Sequence, residues 1–213
     1  VKLLSFLLMT SIFLTGVSIN FSGNKISINV GDKAGAFCVE PMLSGGYSHS
    51  ILLMPDGTVK AWGGNSYGQL GNGTTTASLT PMTVTGLSKV IQISGGRFYS
   101  LALLSDGTVK AWGDNDFGQL GNGTTTASLT PVTVTGLSNV VKIAAGEYHN
   151  MALLADGTVK AWGRNYEGQL GNGGIGKSSP LVTVTGLSNV VQVAAGKEHS
   201  MALLADGTVK TWG

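Results

Sequence analysis

Asp56-Gly57-Thr58-Val59-Lys60-Ala61-Trp62-Gly63 returns, letter for letter, at Asp106–Gly113 and Asp156–Gly163. A fourth copy, Asp206–Gly213, carries Thr211 in place of the alanine. The interval is fifty residues each time, a period that belongs to stacked or radially repeated units. Asp-Gly is a hairpin turn signal, because glycine tolerates positive φ and aspartate bonds its own local backbone. An apolar run such as Met151-Ala152-Leu153-Leu154 precedes each copy, and the alternation Thr158-Val159-Lys160-Ala161-Trp162 follows the turn. Each copy is therefore the tip and second arm of a β-hairpin.

The third unit predicts the remaining strands. After Trp162 comes a glycine-rich connection through Gln169-Leu170-Gly171-Asn172-Gly173. Val182-Thr183-Val184 reads as a short outer strand, Gly186-Leu187-Ser188 as a turn, and Val190 to Ala194 as a fourth strand. No stretch carries a helical period. Four short strands per fifty residues predict an all-β fold, a β-propeller. Residues 37–213 hold about three and a half such blades, a partial or open ring.

Composition narrows the function classes. The chain has 213 residues, 33 of them glycine, with 11% charged residues and a formal net charge of +2. Basic and acidic residues are interspersed and form no phosphate-holding patch, so nucleic acid is not expected as a partner. Cys38 is the single cysteine, which precludes an internal disulfide. Lys2 precedes an apolar run from Leu3 to Leu14, and small residues follow up to Ser18. This predicts a signal peptide over residues 1–18, hence export and no membrane association after cleavage. Residues 19–36 read as a linker or lead-in.

Glu147–Gly171 and Lys197–Gly213 spell Gly-x-x-His-Ser-x-Ala-Leu-x-x-Asp-Gly-x-Val-x-x-Trp-Gly-x-Asn-x-x-Gly-Gln-Leu-Gly in overlapping parts. This resembles the repeat of the regulator of chromosome condensation family, over roughly residues 43–213. The resemblance implies a propeller, usually of seven blades. It leaves function open, because one fold hosts many. The founding member exchanges nucleotide on the GTPase Ran, and relatives include plant photoreceptors, ubiquitin ligases and a secreted bacterial inhibitor of β-lactamase. Seven such blades need about 350 residues. The expectation is a fragment, with two chains completing a ring or an open arc as alternatives. Self-association through open blade edges is a corollary.

Residue types that could carry chemistry have simpler duties. His49, His149 and His199 share one repeat position, with Tyr99 in the remaining unit. Successive blades separate equivalent positions, so these imidazoles should not converge on a metal. Each is expected to bond the loop of its own blade. The repeated aspartates are turn residues, and the tryptophans are packing between blades. No serine, histidine and acid form a recognisable elbow. No cofactor, metal site or enzymatic activity is expected.

The copies differ in two places. One precedes the first hairpin strand: Tyr47, Arg97-Phe98, Glu147-Tyr148 and Lys197-Glu198. The other follows Trp-Gly: Gly64, Ser66 and Tyr67, then Asp114, Asp116 and Phe117, then Arg164, Tyr166 and Glu167. The third unit also diverges over Gly174–Pro180. Antiparallel connections alternate between blade ends, so both variable loops fall on one face and the Asp-Gly turns on the other. Tyr, Phe, Arg and Glu on scaffolded loops suit a protein-binding surface. The candidate residues are Tyr47, Arg97, Phe98, Asp116, Phe117, Glu147, Tyr148, Arg164, Tyr166, Glu167, Lys197 and Glu198. The expected function is a non-catalytic, exported, protein-binding propeller whose partner the sequence does not name. Guanine-nucleotide exchange on a small GTPase and inhibition of a secreted enzyme are the alternatives.

Overall fold

A computed structural model of the chain describes residues 17–22, 25–30 and 37–213. The chain divides into two compact units, residues 1–36 and 37–213. The expected signal peptide lies outside the described residues, except for its last two positions. In the first unit, β1 (Val17–Ser22) pairs antiparallel with β2 (Lys25–Val30). The sequence alone reads residues 19–36 as a linker or lead-in. Yet Val17, Ile19 and Phe21, then Ile26, Ile28 and Val30, alternate around Gly23-Asn24, which is a hairpin pattern.

The second unit is all-β. Its strands are β3 (Met42–Gly45), β4 (His49–Leu53), β5 (Val59–Gly63), β6 (Ser78–Thr83), β7 (Val90–Gly95), β8 (Tyr99–Leu104), β9 (Val109–Gly113) and β10 (Ser128–Thr133). They continue as β11 (Val140–Ala145), β12 (His149–Leu154), β13 (Val159–Asn165), β14 (Gly176–Thr183), β15 (Val190–Ala195), β16 (Ser200–Leu204) and β17 (Val209–Trp212). Three four-stranded antiparallel meanders, β3–β6, β7–β10 and β11–β14, precede a three-stranded one, β15–β17. These are propeller blades.

The fifty-residue sequence unit straddles two blades. The strand after Gly186-Leu187-Ser188 is β15, and it pairs with β16 of the following hairpin. The Asp-Gly turns behave as expected. Thr58, Thr108, Thr158 and Thr208 each donate a backbone N–H to the preceding aspartate's Oδ1 at 2.8–2.9 Å. Gly57, Gly107, Gly157 and Gly207 adopt φ of 79–86°, a region closed to most side chains.

Blades are fastened by side chains that reach across the gap. Trp112 Nε1 donates to Gln69 O of the preceding blade at 2.9 Å, and Trp162 and Trp212 do the same to Gln119 O and Gln169 O. Trp112 and Trp162 are fully buried. His49 Nε2 bonds Ser100 Oγ at 2.8 Å, and His149 Nε2 bonds Ser200 Oγ at 2.9 Å. The histidines thus tie to the next blade, not to a loop of their own as the sequence reading expected.

The exception confirms the coupling. Where Tyr99 replaces histidine, the next blade carries Asn150 in place of serine. The Tyr99 hydroxyl donates to Gly146 O and His149 O at 3.0 and 2.9 Å, and Asn150 Nδ2 donates to Gln119 O at 2.8 Å. The larger phenol reaches the backbone directly, and the amide takes over the bond that Ser100 and Ser200 make to Gln69 O and Gln169 O.

Candidate functional site

The loops at one end of the blades join into a continuous belt. Backbone bonds set its spacing: Tyr47 N donates to Gly96 O and Arg97 O, Arg97 N to Glu147 O, and Glu147 N to Gly196 O, at 3.2–3.3 Å. Each variable loop is therefore pinned to the same loop of the next blade. At the inner rim these loops surround a cavity of about 460 Å³. Its wall is the Gly-Gly or Ala-Gly pair closing each innermost strand, together with Tyr47, Arg97, Glu147 and Lys197.

Outside this rim the aromatic residues touch in series. Tyr67 stacks on Phe98 with ring centres 5.0 Å apart, and Tyr47 meets the same ring edge-on at 5.5 Å. The Arg97 guanidinium lies 5.0–5.3 Å from the ring centres of Tyr47, Phe98 and Tyr148. Phe117 packs on Tyr148 at 4.9 Å and against Tyr166 at 6.3 Å. The Arg164 guanidinium stands 5.1 Å from the Tyr166 ring. Aromatic pairs add about 0.5–1.5 kcal/mol each beyond their buried area, and exposed cation–π contacts about 0.5–1 kcal/mol. Such contacts hold the side chains in place before anything binds.

Charge on this face is paired. Arg97 Nη1 donates to Glu147 Oε1 and to the Tyr148 hydroxyl, both at 2.6 Å. Arg164 Nη1 donates to Glu198 Oε1 at 3.0 Å, and Glu167 lies 3.9 Å from Arg164 Nη2. The hydrogen bond from Arg164 holds the Glu198 carboxyl below its usual range. Burial pushes the Tyr148 phenol up, against the pull of Arg97. Asp114 is buried and accepts from Gln119 Nε2 at 2.9 Å, and its burial raises the carboxyl above the ordinary value. The arrangement offers flat apolar rings, two neutralised guanidinium groups and an exposed Lys197. Among the described residues, no group of three or more His, Cys, Asp or Glu side chains could hold a metal ion.

Ten of the twelve candidate residues take part in this contact network, all but Asp116 and Lys197. Lys197 lines the cavity. Asp116 is exposed on the same loop and its N–H meets Asp114 Oδ1 at 3.3 Å, without reaching the belt. Tyr67 was missing from the candidates. Its signal was present in the sequence, since it is the counterpart of Phe117 one unit back.

Comparison with known proteins agrees with this architecture. The profile of the regulator of chromosome condensation (RCC1) repeat matches residues 56–103, 106–153 and 156–203, and a second profile of the same repeat matches 90–119 and 140–169. Among solved structures, Prp20p from Saccharomyces cerevisiae is 29% identical with a TM-score of 0.72, covering 81% of this chain and 44% of its own. Yeast RCC1 (Prp20) bound to Kap60 is also 29% identical, with a TM-score of 0.70, over 81% of this chain and 43% of its own. Human WBSCR16 is 26% identical with a TM-score of 0.73, over 82% of this chain and 47% of its own. This chain spans less than half the length of each of these structures. The repeated sequence, the four-stranded blades and the matched profiles place the chain in the regulator of chromosome condensation repeat family.

Proposed function

We propose that this chain is a non-catalytic propeller that binds a protein partner through the belt from Tyr67 to Glu198, and that it is exported. The observation that carries the reading is the belt itself: rings and guanidinium groups from successive blades in unbroken contact, on the face where the copies differ. Tyr and Arg, held in place beforehand, are the residue types that dominate protein–protein binding energy. On the Asp-Gly face Phe37 lies against Gly57, but among the described residues no series of touching rings and guanidinium groups runs from blade to blade there. Export is supported by the N-terminal sequence pattern alone.

The test is affinity capture with the native chain and, in parallel, with the Arg97→Ala, Phe98→Ala, Tyr148→Ala, Tyr166→Ala variant. The expected result is a protein held by the native chain and weakened at least about 100-fold by the variant, with circular dichroism unchanged. Equal capture by both would place the binding surface elsewhere.

A second reading follows from similarity to Prp20p, whose structure is described together with its binding to Gsp1p and histones. On that reading the chain would act on a small GTPase, and a nucleotide-release assay would show acceleration. A third, inhibition of a secreted enzyme, is tested against a panel of extracellular hydrolases. Self-association belongs to the same proposal. Leu43 is 72% exposed, whereas its counterparts Ile93 and Ile143 between blades are 3% exposed. Light scattering on the intact chain tests whether a second copy covers it.

A further inference from the structure

Asn72-Gly73-Thr74, Asn122-Gly123-Thr124 and Asn172-Gly173-Gly174 occupy one position of the repeat, just past Gln-Leu-Gly. The first two have the pattern of an N-glycan acceptor, Asn-x-Ser/Thr with no proline in the middle. The third copy lacks the hydroxyl residue. The pattern carries weight only where the asparagine sits in a surface loop. A further triplet of this kind, Asn20-Phe21-Ser22, lies in strand β1 and not in a turn.

The turn uses one end of the asparagine amide. Asn72 Oδ1 accepts from Thr74 N at 3.1 Å, Thr74 Oγ1 at 2.9 Å and Asn65 Nδ2 at 3.4 Å. Asn122 Oδ1 accepts from Thr124 N, Thr124 Oγ1 and Asn115 Nδ2 at the same distances. Asn172 Oδ1 accepts from Gly174 N at 3.2 Å and Asn165 Nδ2 at 3.3 Å, so the turn forms without a hydroxyl. The threonines are therefore not required by the fold. Asn72 Nδ2 donates to no atom among the described residues. It is not one of the buried side-chain atoms left without a partner, so it meets water. Residues 73–77 and 123–127 beside the two asparagines are exposed. The base of the first loop is fixed: Asn65 Nδ2 donates to Thr74 O and Thr76 O at 2.9 and 3.0 Å, and Gly73 N to Leu129 O at 3.0 Å.

We propose that Asn72 and Asn122 are acceptors of an N-linked glycan, transferred outside the cytoplasm from a sugar donor carried on a lipid diphosphate. The proposal rests on the export reading, because the chain must reach that donor. In the transfer, Nδ2 attacks the anomeric C1 of the donor sugar. The N–C1 bond forms as the C1–O bond to the diphosphate breaks. The lipid diphosphate leaves with the bonding pair, and one amide proton passes to a base of the transferase. Oδ1 takes no part in the new bond, so it keeps its three hydrogen bonds and the turn is undisturbed. Each glycan is then a bulky hydrophilic cover over an exposed, threonine-rich loop.

The experiment expresses the full chain behind a host secretion leader in cells that make N-glycans, and reads peptide masses before and after enzymatic glycan removal. The expected result is a glycan on the peptides holding Asn72 and Asn122, and none on Asn172. Thr74→Gly and Thr124→Gly copy the third unit, whose turn forms with glycine. Each should lose one glycan with circular dichroism unchanged. Gly174→Thr should gain a glycan at Asn172; among the described residues a Cβ at Gly174 meets nothing closer than Asn172 Oδ1 at 3.7 Å. Bare Asn72 and Asn122 in a chain whose added C-terminal Asn-Gly-Thr tag is modified would overturn the proposal. So would glycans that persist at these asparagines after the two threonine substitutions. A parallel culture keeps the chain's own residues 1–36 in place of the host leader. Glycans found only behind the host leader would overturn the export reading while upholding the two acceptors.

Discussion

Lowering the pH from 7.5 to 4.5 is expected to cost roughly 2–3 kcal/mol of folding stability for each of His49 and His149. Both rings are buried, and burial brings each pKa from 6.5 down to about 4. For His149, the charges of His199 and Arg164 act in the same direction. A group whose folded pKa is depressed in this way binds its proton more readily in the unfolded chain. A histidine of this kind contributes stability that is complete above pH 6.5 and drains away as pH falls toward 4.

Other groups act outside this window or against it. The turn aspartates, held below 3.8 by Thr58 and its counterparts, lose their contribution only as pH falls through those lower values. Asp114, raised by burial, works the other way and adds stability as it takes up its proton. Urea unfolding at a series of pH values reads the net slope. The chain also supplies a replacement that does not titrate in this range. His149→Tyr with Ser200→Asn transplants the Tyr99–Asn150 pair one blade on. The exchange should remove His149's share of the slope while keeping the blades fastened. A slope unchanged by this exchange would mean that His149 is not the titrating group.

Trp162→Ala is expected to lower unfolding free energy by about 3–5 kcal/mol, a large fraction of what a domain of this size has. Trp162 is fully buried in the cluster with Leu101, Leu103 and Leu120, and its Nε1 reaches Gln119 O at 2.9 Å. Removing it opens a cavity between two blades. The same substitution at Trp62, half-buried and without that bond among the described residues, should cost under about 2 kcal/mol. Trp162→Phe separates packing from hydrogen bonding. Gln119 O keeps its bond from Asn150 Nδ2, so the phenylalanine variant should lose only about 1–2 kcal/mol. Equal costs at Trp62 and Trp162 would show that the tryptophan stabilises its own sheet and not the junction.

The period of fifty, the Asp-Gly hairpins and the absence of helical patterning are local features, and they determine an all-β propeller without further information. The variable loops are legible in the same way. Copies of one unit are compared with each other, and what differs is what the shared fold does not require. Antiparallel alternation then puts those positions on one face. Sequence comparison could thus nominate Arg97, Tyr148 and Tyr166.

What stands next to what was decided only in the folded chain. A period states that His49 and His149 are equivalent, but their partners Ser100 and Ser200 lie fifty-one residues on, across a gap set by the rotation between blades. For the same reason β15 joins the following sheet, and Tyr67 joins Phe98 and not its own loop. Periodicity sets the geometry within each unit. The angle between units, which no single unit encodes, sets the contacts that fasten the blades and build the face.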